Sequence, residues 1–227
     1  MACSGVPVNM GSFDFDVILS NLPFLITGMQ TTLLLTALAM AGGIFLGTLL
    51  ALARLSSLRV LSLFAASYIN FFRSLPLILV IFWFYFLVPL FLGRPVGSFY
   101  SVLVAFTLFE AAYYAEIIRA GITSVRSGQA AAARALGMTY AQSMRYVVLP
   151  QAFRAMLPVL LTQGIILFQD TSLVYVVGLK DFLVSAELVA NREQRLVELF
   201  SFVALVYLVM CFGASRGVRL LERRLNR

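Results

Sequence analysis

The sequence predicts an all-α, polytopic membrane protein with five transmembrane helices and a helical hairpin in one of its basic loops. Three observations lead there. Of 227 residues, 61% are hydrophobic and only 12% charged, whereas soluble domains are about half apolar and about a quarter charged. The apolar residues fall in runs long enough to cross a hydrocarbon core about 30 Å thick, which takes about 20 helical residues. The arginines gather in alternate connections between those runs.

The first span is read at residues 22–52, inside a stretch with no charge from Asn21 to Ala53. It holds Gly43 and Gly47, a small-xxx-small spacing that lets helix backbones approach closely, within the chain or between chains. The second apolar run, 61–92, is interrupted by Arg73 and Pro76. Proline lacks an N–H and disfavours α geometry at Leu75, so a break near Ser74 is expected. The block from Phe82 to Phe86 is aromatic throughout, which suits a lipid-facing or interfacial surface. Span three, 100–118, carries Glu110 and Glu116, followed by Arg119. Span four follows Pro150 and includes 156–177, with Asp170 near its far end; span five covers 197–213. No internal repeat of the kind found in many secondary transporters is evident.

Absent residue types narrow the chemistry. There is no histidine, which excludes a Ser-His-Asp triad, an H-E-x-x-H zinc site and a His-ligated haem. Cys3 and Cys211 stand far apart and support neither a structural disulfide nor a metal site. The only lysine, Lys180, follows Leu179, so a G-x-x-x-x-G-K-[ST] phosphate loop is absent. If nucleotide energy drives this protein, a partner must supply it.

The net charge of +7 reads as topology and not as a nucleic-acid signal. Arg54 and Arg59, then Arg126, Arg134, Arg145 and Arg154, then Arg216, Arg219, Arg223, Arg224 and Arg227 fall on one side. The other side receives Arg94, Lys180, Arg192 and Arg195 with six acids. Basic loops stay cytoplasmic, which places the N-terminus outside and the C-terminus inside. The chain divides into an outer segment 1–21, a membrane domain 22–215 and a basic tail 216–227. The membrane domain includes a cytoplasmic loop 126–154 and an outer loop 178–196. The first residues lack the pattern of a cleavable signal peptide, and Met10 is an alternative start to Met1.

The loop 126–154 is the most informative stretch. No acid occurs between Glu116 and Asp170. Residues 129–136 are alanine-rich and helix-forming, and Gly137 suits the left-handed cap that ends such a helix. Thr139 with Gln142 three residues on forms a capping box opening a second helix over 140–149, which Pro150 is expected to stop. Such a hairpin either lies on anionic lipid, with Met144, Val147 and Val148 facing down, or offers a small-residue face to a partner.

A family resemblance bears on that choice. The pattern E-A-A, three residues, Gly, nine residues, I-x-L-P falls on Ala131, Ala132, Ala133, Gly137, Val147, Leu149 and Pro150, with Gln129 just ahead. This resembles the coupling loop of the membrane subunits of ATP-binding-cassette (ABC) importers, although Ala131 stands where the family usually has Glu. Phe72, Arg73, Pro76 and Leu77 resemble the F-R-x-x-P-L element of the polar amino-acid permeases. Residues 109–122 and Asp170-Thr171-Ser172-Leu173 resemble that family's third- and fourth-span signatures. The run 161–175 is most similar to the glutamate/aspartate branch.

The resemblance implies a type I importer permease in the inner membrane of a bacterium, with a periplasmic N-terminus and a cytoplasmic C-terminus. It implies a second permease subunit, of a different sequence, and two ABC ATPase subunits that use ATP and Mg and dock on the loop. It further implies a periplasmic amino-acid-binding protein and surrounding lipid. No cofactor bound by this chain and no nucleic acid is implied. A permease for glutamine or another polar amino acid, and a non-transporting membrane scaffold, remain as rivals.

A charged group in a span is a functional candidate by default. Glu116 and Arg119, three apart, lie on one helix face and either pair with each other or face the path. Glu110 has no basic neighbour at helical spacing. Arg73 beside Pro76 either grips a substrate carboxylate or pairs with Glu110 or Asp170. Gln169, Asp170, Thr171 and Ser172 form either a gate or an interhelical hydrogen-bond cluster. The mixed charges from Lys180 to Arg195 suit a binding protein or an ordinary solvated loop.

Overall fold

A computed structural model describes residues 13–225 of the chain. Met1, Met10, Cys3 and Arg227 lie outside the described residues, so the alternative starts, one cysteine and the last arginine of the tail have no structural account. Among the described residues the protein is helical throughout.

A short helix, α1 (Phe15–Ser20), is capped by Asp14, whose Oδ1 accepts from the Asp16 amide. It leads into α2 (Leu22–Arg54), with Pro23 in the first turn, where a missing N–H costs nothing. At 1.5 Å per residue its 33 residues reach about 50 Å, more than the hydrocarbon core requires. Its buried stripe runs through Gly28, Thr32, Leu35, Ala39, Gly43, Gly47 and Ala51, steps of three and four that keep small side chains on one face.

That stripe packs on α6 (Ser98–Thr123), the most deeply buried span. A Cβ on Gly47 would stand 2.8 Å from Tyr114 Cβ and 2.9 Å from the Ala115 nitrogen. One on Gly43 would stand 3.1 Å from Glu110 Cβ. The glycine pair therefore serves packing within the chain, where van der Waals contact drives helix association in lipid.

The break near Ser74 forms. Helix α3 (Arg59–Arg73) ends there, the Ser74 hydroxyl donates to the Asn70 carbonyl at 2.7 Å, and Pro76 caps α4 (Leu77–Phe82). A π-helical turn, Trp83–Leu87, joins α4 to α5 (Val88–Leu92). The direction of Leu77–Leu92 differs from that of α3 by 103°. Four single helices are long and apolar enough to cross a membrane, and this bent pair makes the fifth crossing when counted as one span.

After α6 comes the hairpin of α7 (Ser127–Ala135) and α8 (Tyr140–Ser143). Pro150 does not stop the helix that opens at Tyr140, contrary to the sequence expectation. A π-helical turn, Met144–Val148, leads straight into α9 (Leu149–Asp170), so that helix runs from Tyr140 to Val177. Both π turns end two residues before a proline, Pro89 and Pro150. The wider turn takes up the lost N–H and the ring clash that would break a regular α-helix.

A 3₁₀ segment, Thr171–Val177, ends at Gly178 with φ +65°. The stretch 178–196 is not a simple loop: it contains α10 (Phe182–Glu193), with Phe182, Ala186, Val189 and Ala190 buried against α2 and α11 (Leu196–Leu225). Helix α11 continues without a break past Gly213, so the tail arginines up to Arg224 ride on its last turns.

Candidate functional site

Two regions carry the candidate residues. In the hairpin, α7 ends in a full Schellman cap: Gly137 N–H donates to the Arg134 carbonyl at 2.9 Å and Met138 N–H to the Ala133 carbonyl at 3.2 Å. Gly137 has φ +84°, and a Cβ there would meet nothing within 4 Å. Glycine is required by the backbone and not by space. The capping box on α8 is complete, with Gln142 N–H donating to Thr139 Oγ1 and Thr139 N–H to Gln142 Oε1 at 2.9 Å.

The hairpin folds its apolar side onto the protein. Ala133, Ser143 and Val148 are buried, and Met144 and Val147 half-buried. Met144, Val147 and Val148 are thus partly or wholly covered by the protein itself. Gln129, Ala131, Ala132, Gly137, Leu149 and Pro150 are exposed, and Leu136 projects with 82% of its surface free. An exposed leucine on a rigid, small-residue turn is a shape that a complementary cleft can hold.

The second region is a cavity of about 420 Å³ lined by Arg73, Tyr113, Glu116, Ser124, Met156 and Gln163, among others. The 103° bend places Arg73 there, with its guanidinium carbon 5.5 Å from the Tyr113 ring centroid, within cation–π range. Among the described residues Arg73 has no carboxylate partner, so neither Glu110 nor Asp170 pairs with it. Glu116 is engaged by Arg119 through two hydrogen bonds, from Nε at 3.0 Å to Oε2 and from Nη2 to Oε1. The cavity thus presents one unpaired cation.

Glu110 is fully buried, and Gln163 Nε2 lies 3.2 and 3.3 Å from its two oxygens. Gln163 touches both the buried acid and the cavity, and it is absent from the residues singled out by sequence. Its signal was faint: an amide on an apolar helix whose acid partner stands 53 positions away. Tyr113 was likewise missed, being one of several aromatics in its run.

The residues after α9 are not brought to this cavity lining. Thr171 Oγ1 donates to the Phe168 carbonyl and Ser172 Oγ to that of Gln169, at 2.7 and 2.8 Å. Both hydroxyls donate to carbonyls one turn back on their own helix. Gln169 is exposed and Asp170 half-buried. Between Lys180 and Arg195 several of the mixed charges are engaged within the chain: Arg192 with Glu193 and Asn21, and Arg195 with Glu198 and Asp14.

Comparison with known proteins shows the family. A family model described as the binding-protein-dependent transport system inner membrane component matches residues 43–227. The glutamate/aspartate import permease protein GltK of Escherichia coli O6:H1 is 50% identical, over 95% of this chain and 99% of its own. The probable glutamine ABC transporter permease protein GlnM of Bacillus subtilis is 37% identical, over 93% and 98%. A crystal structure of an amino acid ABC transporter with histidines superposes with a TM-score of 0.88 at 36% identity, covering 93% of this chain and 98% of that one. The chain belongs to the inner membrane components of binding-protein-dependent transport systems, as a multi-pass, non-catalytic permease subunit of the amino-acid ABC transporters.

Proposed function

We propose that this permease moves glutamate and aspartate into the cytoplasm. The observation that carries the substrate class is Arg73, a guanidinium without a carboxylate partner among the described residues, held at a helix break on the cavity wall. A planar guanidinium binds a carboxylate through two parallel bonds. Gln163, on the same cavity, supplies an amide, and Glu116 is already engaged by Arg119. The 50% identity to a glutamate/aspartate permease supports the same substrate over glutamine, where the named relative is 37% identical.

In this reading two permease subunits of different sequence enclose the path, and a periplasmic binding protein delivers the amino acid. Two ATPase subunits, which bind ATP and Mg, grip the hairpin at Gln129, Ala131, Ala132, Gly137 and Leu149. ATP-driven closure of the ATPases draws the hairpins together and switches the path between outward- and inward-open states. The permease contributes differential packing of the two states, without which no ligand shifts the equilibrium. The bend at Pro76 and the turn from Gln169 to Ser172 are its gate elements, and Glu110 anchors Gln163 between them. The basic loops support a cytoplasmic C-terminus and a periplasmic N-terminus.

The test is transport by the complete importer in proteoliposomes. Unlabelled aspartate and glutamate should compete with labelled glutamate, and glutamine should not. Arg73→Gln should lower glutamate transport by about 100-fold, the equivalent of about 3 kcal/mol for a lost charge-assisted pair. Efficient competition by glutamine, or full activity of Arg73→Gln, would remove the acidic substrate from this reading.

A further inference from the structure

The wall built by α2, α3 and α6 holds an apolar groove of about 600 Å³, lined by Leu46, Leu49, Leu50, Leu61, Phe64 and Leu108, among others. At one end it meets a second hollow of about 390 Å³, lined by Arg54, Ser56, Ser57, Arg59 and Ser62. Ser56 belongs to both. The turn between α2 and α3 is fixed by Ser62 Oγ, which donates to the Arg54 carbonyl at 2.9 Å, and by the Leu58 amide, which donates to Ser56 Oγ at 3.2 Å. Among the described residues neither Arg54 nor Arg59 has a carboxylate partner. No acid occurs in the sequence between Asp16 and Glu110.

We propose that the groove and the hollow together bind one anionic phospholipid, its phosphate held by Arg54 and Arg59 and one acyl chain lying between α2 and α3. Size, position and charge each support that occupant. From Leu46 to the end of α2 at Arg54 the groove follows about 12 Å of helix, most of the depth of one leaflet, which is half of a hydrocarbon core about 30 Å thick. The polar hollow sits at the end of the spans, where headgroups lie, and basic pockets between transmembrane helices suit anionic headgroups. A guanidinium pair matches a phosphate in charge and in bidentate geometry. Leu49 and Phe64 are 51% and 66% exposed, so the groove lies open to an acyl chain entering from the bilayer. The site shares no lining residue with the cavity at Arg73 and does not depend on the substrate assigned above.

The experiment is native mass spectrometry of the complete importer after exchange into micelles containing equal phosphatidylglycerol and phosphatidylcholine. The wild type should retain phosphatidylglycerol preferentially. Arg54→Gln with Arg59→Gln should lower that preference by about 25-fold, from about 1 kcal/mol per arginine. Leu49→Trp, which keeps both arginines and fills the groove, should lower retention of either lipid. Arg223→Gln with Arg224→Gln in the tail should change neither, and excess inorganic phosphate should leave the lipid bound. Four outcomes overturn the proposal: an unchanged preference in the Arg54 and Arg59 variant, unchanged retention in Leu49→Trp, an equal loss in the tail variant, or displacement by phosphate. Cross-linking of Leu49→Cys to another subunit would do the same, because a protein would then occupy the groove. If the double variant fails to assemble, Leu49→Trp decides.

Discussion

The hairpin and the α2–α6 seam both depend on glycine, for opposite reasons. Gly137 turns a chain through a left-handed conformation in open space, with nothing within 4 Å of an added Cβ. Gly47 is in a regular helix and owes its identity to Tyr114, Ala111 and Ala115 pressed against it. The first need arises within a few residues and can be read from the sequence around it. The second exists only once two helices more than sixty residues apart have met. The cavity belongs with the seam, because Arg73, Glu116 and Gln163 come from three different helices.

This contrast can be broken by substitution, and the largest effect belongs to the seam. Gly47→Val should destabilise the protein by about 3 kcal/mol, the upper range for overpacking a tight interface, and thermal unfolding of the purified importer should show it. Gly137→Ala should cost only about 1–2 kcal/mol, the price of a left-handed residue with a Cβ. Its effect should appear as less transport per ATP hydrolysed, while the unfolding temperature moves little. A Gly137→Ala protein that unfolds as readily as Gly47→Val would erase the distinction.

Smaller again is the cap. Thr139→Ala removes the Oγ1 acceptor of the capping box and should cost about 1 kcal/mol, confined to faster amide exchange over α8. Exchange accelerated equally in α6 would mean that the hairpin is not a local unit.

The smallest effect concerns Asp181, which caps α10 with one oxygen accepting from Val184 N–H at 2.8 Å while the other has no partner among the described residues. Burial pushes its carboxyl up to about 6 from 3.8, and Glu187 adds to the rise. The folded protein therefore holds this proton more tightly than the unfolded chain. The stabilising effect is full below the unfolded value near 4 and is lost as pH rises through about 6. Amide exchange in α10, corrected for intrinsic rates, should be slower at about pH 5 than at about pH 7.5, and Asp181→Asn should abolish that difference. A pH dependence that survives the substitution would assign it to another group.

Much of the architecture was legible because its signals are local. The Schellman glycine, the capping box at Thr139 and Gln142, the break ahead of Pro76 and the Glu116–Arg119 pair each involve residues within about one turn. Pro150 differs from the sequence expectation because its cost is relieved by a π turn, Met144–Val148, that lets the helix run on. Residues 178–196 read as a loop because their charges dominate the pattern. Pairing of Arg192 and Arg195 within the chain, and burial of the apolar face of α10, make that stretch a packed helix.

By itself the sequence determined that the chain lives in a membrane, how many crossings it makes, where it bends and how the hairpin is capped. Hydrophobic runs, proline and caps act through covalent geometry and solvent, which every residue meets in its own neighbourhood. Only the tertiary structure decided that Gly43 and Gly47 face α6, that Gln163 binds Glu110, that Arg73 stands unpaired on a cavity, and that the hydroxyls after Asp170 turn back on their own helix. These follow from which helices touch. In lipid that is settled by close packing and polar satisfaction between distant segments, because the hydrophobic effect no longer distinguishes one apolar face from another.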